Sequence, residues 1–336
     1  MRAEIDDKTP RPECKPIHQS CPVEIDVRND TIESVDPLNP HSRTSLAWQS
    51  KLVLLLVLPF AGVSVVLQTH WWTFYSSPVA IWTLGLSLLL GLVVVKLRAA
   101  TPAAAVTGVV ITASLMFSTV AFPYRPWHTA LIPILTVSLL AHFATRIGRA
   151  KKERLGTAEE KHGRSASQVA ANLGIATLVS DQITQSWLTT AHWLPHAALA
   201  PTHLLAIGLT ALAEAAADTV SSELGQVFGG RPRMITTLRT AEPGQDGAIS
   251  IAGTLAGIVA AAIVAALGTL ALSGDWTLFA VSCSGGIFGL LFDSLLGATL
   301  ERRGWLNNDA VNFLSTASAA AFALGLLALM PHPGIG

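Results

Sequence analysis

From Leu52 onward the chain is a succession of apolar blocks, each about as long as the roughly 20 residues that a helix needs to cross a bilayer. Nine blocks can be counted, at approximately 50–69, 78–96, 102–122, 127–145, 167–187, 201–220, 248–272, 277–298 and 309–330. Inside hydrocarbon every backbone amide must find its partner within the segment, so runs of this length read as helices. The expected fold is therefore all-α, a polytopic integral membrane protein with about nine transmembrane helices. The fifth block has Gln168, Asn172, Asp181, Gln182 and Gln185 in or beside it and is read alternatively as a re-entrant or interfacial segment. Composition agrees with the blocks: 51% of residues are hydrophobic and 13% charged, against roughly 25% charged in soluble domains. A water-soluble enzyme is excluded on that ground. Lysine plus arginine equals aspartate plus glutamate at 22 each, which leaves no bulk basic charge for a nucleic-acid partner.

Residues 1–45 differ from the rest. They carry nine acidic residues and six prolines without apolar periodicity, and read as a disordered cytoplasmic tail preceding a transmembrane domain at 46–336. No apolar run follows the first basic residue closely enough for a secretory signal. Three cysteines make no disulfide framework, and Cys14, His18 and Cys21 lack the ligand spacing of a zinc site.

Positively charged loops remain in the cytoplasm. With the amino terminus inside, nine crossings place 21 of the 22 lysines and arginines on the inner side and leave Arg125 outside, with the carboxy terminus outside. An inner-membrane location is expected. Trp71, Trp72, Trp127, Trp193 and Trp276 then fall at the outer interface, where indoles anchor.

Carboxylates within apolar helices cost about 2.5–3.5 kcal/mol each at a helix centre on insertion scales, and so call for a reason. The sequence has Glu214, Asp218, Glu223 and Asp293. The topology places the last three near the inner ends of the sixth and eighth helices. The first turns of helices five, seven and nine bring Asn172, then Ser250 and Thr254, then Asn307, Asn308 and Asn312 to the same level. Glu214 and Asp218 share a helix face, whereas Glu223 would join them only if the helix ended or unwound near Ser221, for which Gly225 offers a stop. Such oxygen ligands suit Mg2+, which retains waters and phosphate oxygens, with Asp218, Glu223 and Asp293 as the metal-holding trio. Lys151, Lys152, Arg154, Lys161, Arg164, Arg231, Arg233 and Arg239 lie on the same side and could clamp phosphates, although basic loops beside a membrane are also the ordinary topogenic signal. Metal, cations and positioning are the requirements of phosphoryl or nucleotidyl transfer. A proton or cation pathway would use the same residue types.

Other motifs point nowhere. GQVFGG (225–230) is followed by Arg231 instead of the lysine and hydroxyl of a phosphate loop. GTLAG (253–257) and Gly285, Gly286 and Gly289 read as close helix packing. His142, His162, His192, His196 and His203 form no HExxH pair, and Ser165 and Ser167 have no evident triad partners.

The strings ATRIGRAKKERLGTAEEKHGRSASQVAANLG (144–174), AEAAADTVSSELG (213–225), EPGQDGAISIAGTLAG (242–257), FDSLLGATLERRG (292–304) and NNDAVNFLS (307–315) occur in the order and spacing of one membrane family. The chain resembles the polytopic family that contains plant phytyl-phosphate kinase and mammalian transmembrane protein 19, over about 145–330 and more weakly through the first four helices. The resemblance implies a kinase that converts an isoprenoid (phytyl or polyprenyl) monophosphate to its diphosphate with a nucleoside triphosphate, CTP favoured over ATP, and Mg2+ at the cytoplasmic face. The matching polar positions are Arg164, Asn172, Asp218, Glu223, Ser250, Asp293, Asn308 and Asn312; Lys152 joins them from the basic loop as a phosphate ligand. Ala216 and Gln245 depart from the family pattern, the second where a phosphate contact is at stake. Alternatives are a CTP-dependent cytidylyltransferase acting on a lipid phosphate and a proton- or cation-coupled lipid transporter.

Overall fold

The computed structural model describes residues 47–158, 163–190 and 201–330. The tail at 1–45, the Cys14/His18/Cys21 cluster, Lys161, His162, His192, Trp193 and His196 lie outside the described residues. In chain order the helices are α1 (Ala47–Tyr75), α2 (Ser77–Lys96), α3 (Pro102–Ser118), α4 (Leu131–Arg146), α5 (Arg149–Leu155), α6 (Ala166–Ser180), α7 (Gln182–Thr190), α8 (Pro201–Phe228), α9 (Ile251–Ala271), α10 (Trp276–Leu296) and α11 (Asn308–Leu329). Each of the nine apolar blocks holds a helix, and the protein is an all-α integral membrane protein. Among the described residues six helices are long and apolar enough to cross a bilayer, or seven if the pair α4 and α5, bent by 66°, is one span. The count of nine spans is therefore approximate, because α3, α4 and α6 have 17, 16 and 15 residues.

The reasons for the short helices are local. Thr119 ends α3 by turning its hydroxyl back to the carbonyl of Leu115 and accepting from the Ala130 amide, which ties the α3–α4 connection to the helix it leaves. The fifth block breaks at Asp181, whose Oδ1 accepts from the Ile183 amide and so caps α7. Asp181 is buried, and its Oδ2 accepts from Ser64 of α1, which in turn receives Ser114 of α3. Asp181 thus makes a buried helix start, while Gln182 beside it is exposed and Gln168 and Asn172 lie in α6.

At the other end the bundle is closed by pairs that join remote parts of the chain. Gln49 donates to the Trp305 carbonyl and accepts from the Asn307 amide, and Ser50 donates to Asp309, binding the start of α1 to the start of α11. The amide of Arg164 donates to Ala99 and its carbonyl accepts from Thr101, which holds the start of α6 against the α2–α3 turn. The N-termini of α1, α3, α6, α9 and α11 meet the C-termini of α2, α4, α8 and α10 at this end.

α8 is the central element. In its apolar stretch 83% of residues are buried, against 22–44% in the other five spans, and it packs against α4, α6, α9, α10 and α11. Small residues permit the approach. A Cβ on Gly257 of α9 would lie 2.8 Å from the Ala217 carbonyl oxygen, and one on Gly286 of α10 would lie 3.0 Å from the Ala213 Cβ. The GTLAG and glycine-rich stretches are thus packing surfaces for α8.

Candidate active site

The loop between α8 and α9 folds back over the bundle end. Strands β1 (Arg233–Met234) and β2 (Ala248–Ile249) pair antiparallel, and residues 243–247 turn inward through Gly244 and Gly247, both with positive φ. A Cβ on Gly247 would lie 2.4 Å from the backbone of Ala298, so only glycine lets this loop sit on the π-helical turn Gly297–Glu301 that ends α10. Such turns recur at functional sites because they re-aim side chains.

Beneath the loop lies a polar cavity of about 290 Å3. Asp218 and Thr219 of α8 face Asp293 of α10 across it, with Asn172 of α6, Ser250 of α9, and Asn308 and Asn312 of α11 completing the walls. Asp218 and Asp293 line the cavity together; Glu214 is buried four residues before Asp218 on α8, and Ser315 is buried on α11, where its hydroxyl donates to the Asn312 carbonyl. Asp293 Oδ2 and Glu214 Oε1 are buried without a hydrogen-bond partner, which is costly for a carboxylate. Ser165, Ser250 and Asn307 cap α6, α9 and α11 by accepting from amides three residues on, so three helix N-termini, with their positive dipole ends, converge on the cavity. Asn172 itself is buried and donates to the Gln168 carbonyl at 2.8 Å.

Arg164 is fixed by its backbone. Gly163 has φ of +76°, and a Cβ there would collide with Ala99 at 2.4 Å, so a glycine must precede the arginine for the strand-like contact with Ala100 to form. The guanidinium then donates to Thr219 Oγ1 at 3.3 Å. Among the described residues it is the one cationic side chain lining the cavity, facing Asp218, Glu223, Asp246, Asp293 and Glu301.

Two expectations require correction. Lys152 does not line the cavity. Its ammonium is buried, donates to the carbonyls of Ala144 and Thr145 at 2.8 and 3.1 Å, and forms an ion pair with Glu223 Oε2. It closes the end of α4 and anchors α5, because a long side chain from a short amphipathic helix can reach the unpaired carbonyls of a helix terminus. The second concerns Glu223. α8 does not unwind near Ser221 but continues to Phe228. Five residues on a helix turn Glu223 through about 140° relative to Asp218, and its Oε1 accepts from Thr145 at 3.0 Å while Lys152 holds Oε2. Glu223 borders the cavity, but Asp218, Glu223 and Asp293 do not converge as a trio. No group of three histidine, cysteine, aspartate or glutamate side chains is placed to hold a metal among the described residues.

The remaining basic residues are engaged or apart. Lys151 donates to the Val227 carbonyl, Arg149 pairs with Glu153, and Arg233 donates to the Leu238 carbonyl; Arg154, Arg231 and Arg239 do not line the cavity. Asp246 and Glu301 do line it and were not expected. Both sit in quoted strings, EPGQDG and LERRG, but outside the apolar blocks, where an acidic residue carries no insertion cost and attracts no notice.

An acid-rich cavity at one end of an apolar bundle, roofed by an ordered loop and approached by three helix N-termini, defines a polytopic membrane protein with a built polar site. The chain belongs to the DUF92 family of integral membrane proteins, whose model matches residues 85–320. The match spans α2 to α11 and reaches further toward the N-terminus than the 145–330 core of the resemblance. Among curated proteins the chain is 47% identical to the uncharacterized membrane protein MJ0933 of Methanocaldococcus jannaschii over 32% of this chain and 45% of that one. It is 31% identical to the uncharacterized membrane protein sll0875 of Synechocystis over 60% and 74%. With the chloroplastic protein VTE6 of Arabidopsis thaliana it shares 27% identity over 54% and 53%. The chain thus spans about half the length of the archaeal and plant relatives. These matches bear out the resemblance drawn from the sequence. No solved structure matches.

Proposed function

We propose that this protein is an isoprenoid-phosphate kinase of the cytoplasmic membrane face, converting a lipid monophosphate to its diphosphate with a nucleoside triphosphate, CTP before ATP. The observation that carries the reading is the charge pattern of the cavity: one fixed guanidinium and three helix N-termini, which attract phosphate, beside the Asp218–Asp293 pair with an unpartnered buried oxygen. Membership of the same family as the plant relative supports the same chemistry.

The donor set fits Mg2+. Asp218, Asp293 and Glu301 offer carboxylate oxygens, and Asn308 and Asn312 offer amide oxygens. Two carboxylates completed by phosphate oxygens and water are a usual magnesium arrangement. When bound, the ion neutralises charge on the transferring phosphates. Asp218 and Asp293 would hold the ion beside the donor triphosphate, Arg164 would hold the acceptor phosphate, and Asn172 and Ser250 would orient oxygens between them. An oxygen of the lipid phosphate forms the new bond to the γ-phosphorus, the bond from that phosphorus to the β-bridging oxygen breaks, and the nucleoside diphosphate leaves. The attacking oxygen is already largely ionised near pH 7, with a second pKa of about 6, so no histidine base is needed.

The test is purified protein in detergent with Mg2+, phytyl or geranylgeranyl monophosphate, and CTP or ATP labelled at the γ-position. Labelled lipid diphosphate is the expected product. A CDP-lipid with released pyrophosphate would reassign the protein to nucleotidyl transfer. Five carboxylates around one guanidinium also favour a second reading, a cation-coupled lipid transporter, which would give no product with any donor and a cation-dependent flux in proteoliposomes.

A further inference from the structure

A second cavity, of about 430 Å3, lies among α2, α3, α4, α6 and α8, within the 300–1,000 Å3 range of small-molecule sites. Its body is apolar, walled by residues such as Leu90, Ala104, Gly108, Ile134, Val137 and Leu173. Its mouth is not: Arg98, Arg146, Arg149 and Arg164 line the end nearest the polar site. Arg164 and Asn172 belong to the walls of both cavities. One guanidinium, held rigidly by the backbone pairing of Arg164 with Ala99 and Thr101, therefore stands where an apolar chamber meets a carboxylate-lined one.

Resting on the kinase reading above, we infer that this chamber is the binding site for the hydrocarbon chain of a single-chain lipid phosphate, with its phosphate at Arg164 and Asn172, and that Gly108 sets the chain length accepted. The chamber follows α3 from Ala104 to Thr112, about 12 Å of helix, with Gly108 midway. A Cβ on Gly108 would meet nothing within 4 Å, so the glycine borders open space and a larger side chain there would project into the chamber instead of into a neighbouring helix. Gly91 across the chamber is different, since its Cβ would fall 2.4 Å from Val109; that glycine serves the α2–α3 contact. The arginines at the mouth suit an anionic head, although Arg149 also pairs with Glu153 and Arg146 donates to the Leu97 carbonyl.

The experiment compares geranyl, farnesyl and geranylgeranyl monophosphates on the full chain in detergent. Binding is read by native mass spectrometry and turnover by labelled diphosphate. Gly108→Phe should lower the ratio of geranylgeranyl to geranyl binding at least tenfold, and Ser138→Phe, from the opposite α4 wall, should do the same if the first variant folds poorly. Leu89→Phe, on an exposed side chain of α2, should leave the ratio within twofold. A diazirine at the chain end of a geranylgeranyl phosphate should label α3 or α4. If both chamber variants keep the wild-type ratio, or the label is found elsewhere, or phosphatidylcholine displaces the prenyl phosphates as well as they displace one another, the inference fails, whether or not phosphate is transferred. A shifted binding ratio with no transfer to any substrate would uphold the chamber and sink the kinase.

Discussion

Replacing Lys152 separates a structural cation from a phosphate ligand. In Lys152→Met the stem is preserved and the ammonium lost, leaving Glu223 buried beside Thr145 and the carbonyls of Ala144 and Thr145 without their donor. Breaking a buried ion pair by removing one partner costs about 3–5 kcal/mol. The lower end applies here. The Glu223 side chain is 11% exposed against 1% for Lys152, so it borders the cavity and water can reach it, and Thr145 still donates to it. A loss of about 3 kcal/mol is a drop of roughly two orders of magnitude in the folding equilibrium constant. Lys152→Met/Glu223→Gln should recover to within about 1–2 kcal/mol of wild type, since the uncompensated charge is gone and mainly the two carbonyls are left unfilled. The assay is reversible unfolding by SDS in mixed micelles, followed by circular dichroism, for both single variants and the double. If Lys152→Met unfolds within 0.5 kcal/mol of wild type, as an exposed change would, or if the double variant is no better than the single, the buried-pair account is wrong. A rise in the KM for the nucleotide at unchanged stability would instead restore Lys152 as a direct ligand.

Asp218→Asn and Asp293→Asn should each abolish diphosphate formation while the protein stays inserted and folded; full turnover in either would remove the carboxylate pair from the reaction. Gly163→Ala should cost more than about 1 kcal/mol, because alanine opposes the positive φ and its Cβ strikes Ala99. It should also raise the KM for lipid phosphate by displacing Arg164, so a normal thermal midpoint and KM would show that the turn is not rigid. Gly257→Val should loosen the α8–α9 contact by about 1–3 kcal/mol, since its Cβ would lie 2.8 Å from both Ala217 O and a Leu290 methyl; an unchanged midpoint would mean that the helices separate freely.

The sequence disclosed the bundle through its apolar blocks and the site through the cost of placing Asp218 and Asp293 in them. It disclosed less about where helices stop. α3 ends at Ser118 instead of near 122 and the fifth block breaks at Asp181, because Thr119 and Asp181 satisfy nearby backbone amides with side-chain oxygens, which apolar block length does not register. α8 runs eight residues beyond the block that announced it, as its last two turns mix polar residues with Leu224, Val227 and Phe228 and only Glu223 among them is buried. Lys152 could not be told from its neighbours Lys151 and Arg154 in a basic run, since only the bend between α4 and α5 turns it inward. Asp246 needed two positive-φ glycines to reach the cavity, a geometry that spacing alone does not disclose.

The arrangement also accounts for how an Ala-rich central helix can carry so many acids. Glu214, Asp218 and Glu223 emerge on α8 in directions set by its pitch: Glu214 is buried within the bundle, Asp218 opens into the cavity that Asp293 and Arg164 also line, and Glu223 pairs with Lys152 of α5. Glu223 is neutralised within the fold. Glu214 and Asp293 each retain a buried oxygen with no partner, and the helix N-termini of α6, α9 and α11 supply only partial positive charge. A structure that merely needed stability would replace the unpaired carboxylates by apolar residues, which a buried site accepts at little cost or with gain. Their retention beside the three capped helix starts is understandable if a cation and phosphate complete the site, and in that case Asp293→Leu should raise the unfolding midpoint of the protein without Mg2+ and nucleotide while removing the further rise that Mg2+ with nucleotide produces in the wild type. A lower midpoint without ligand would show instead that Asp293 contributes to the fold itself.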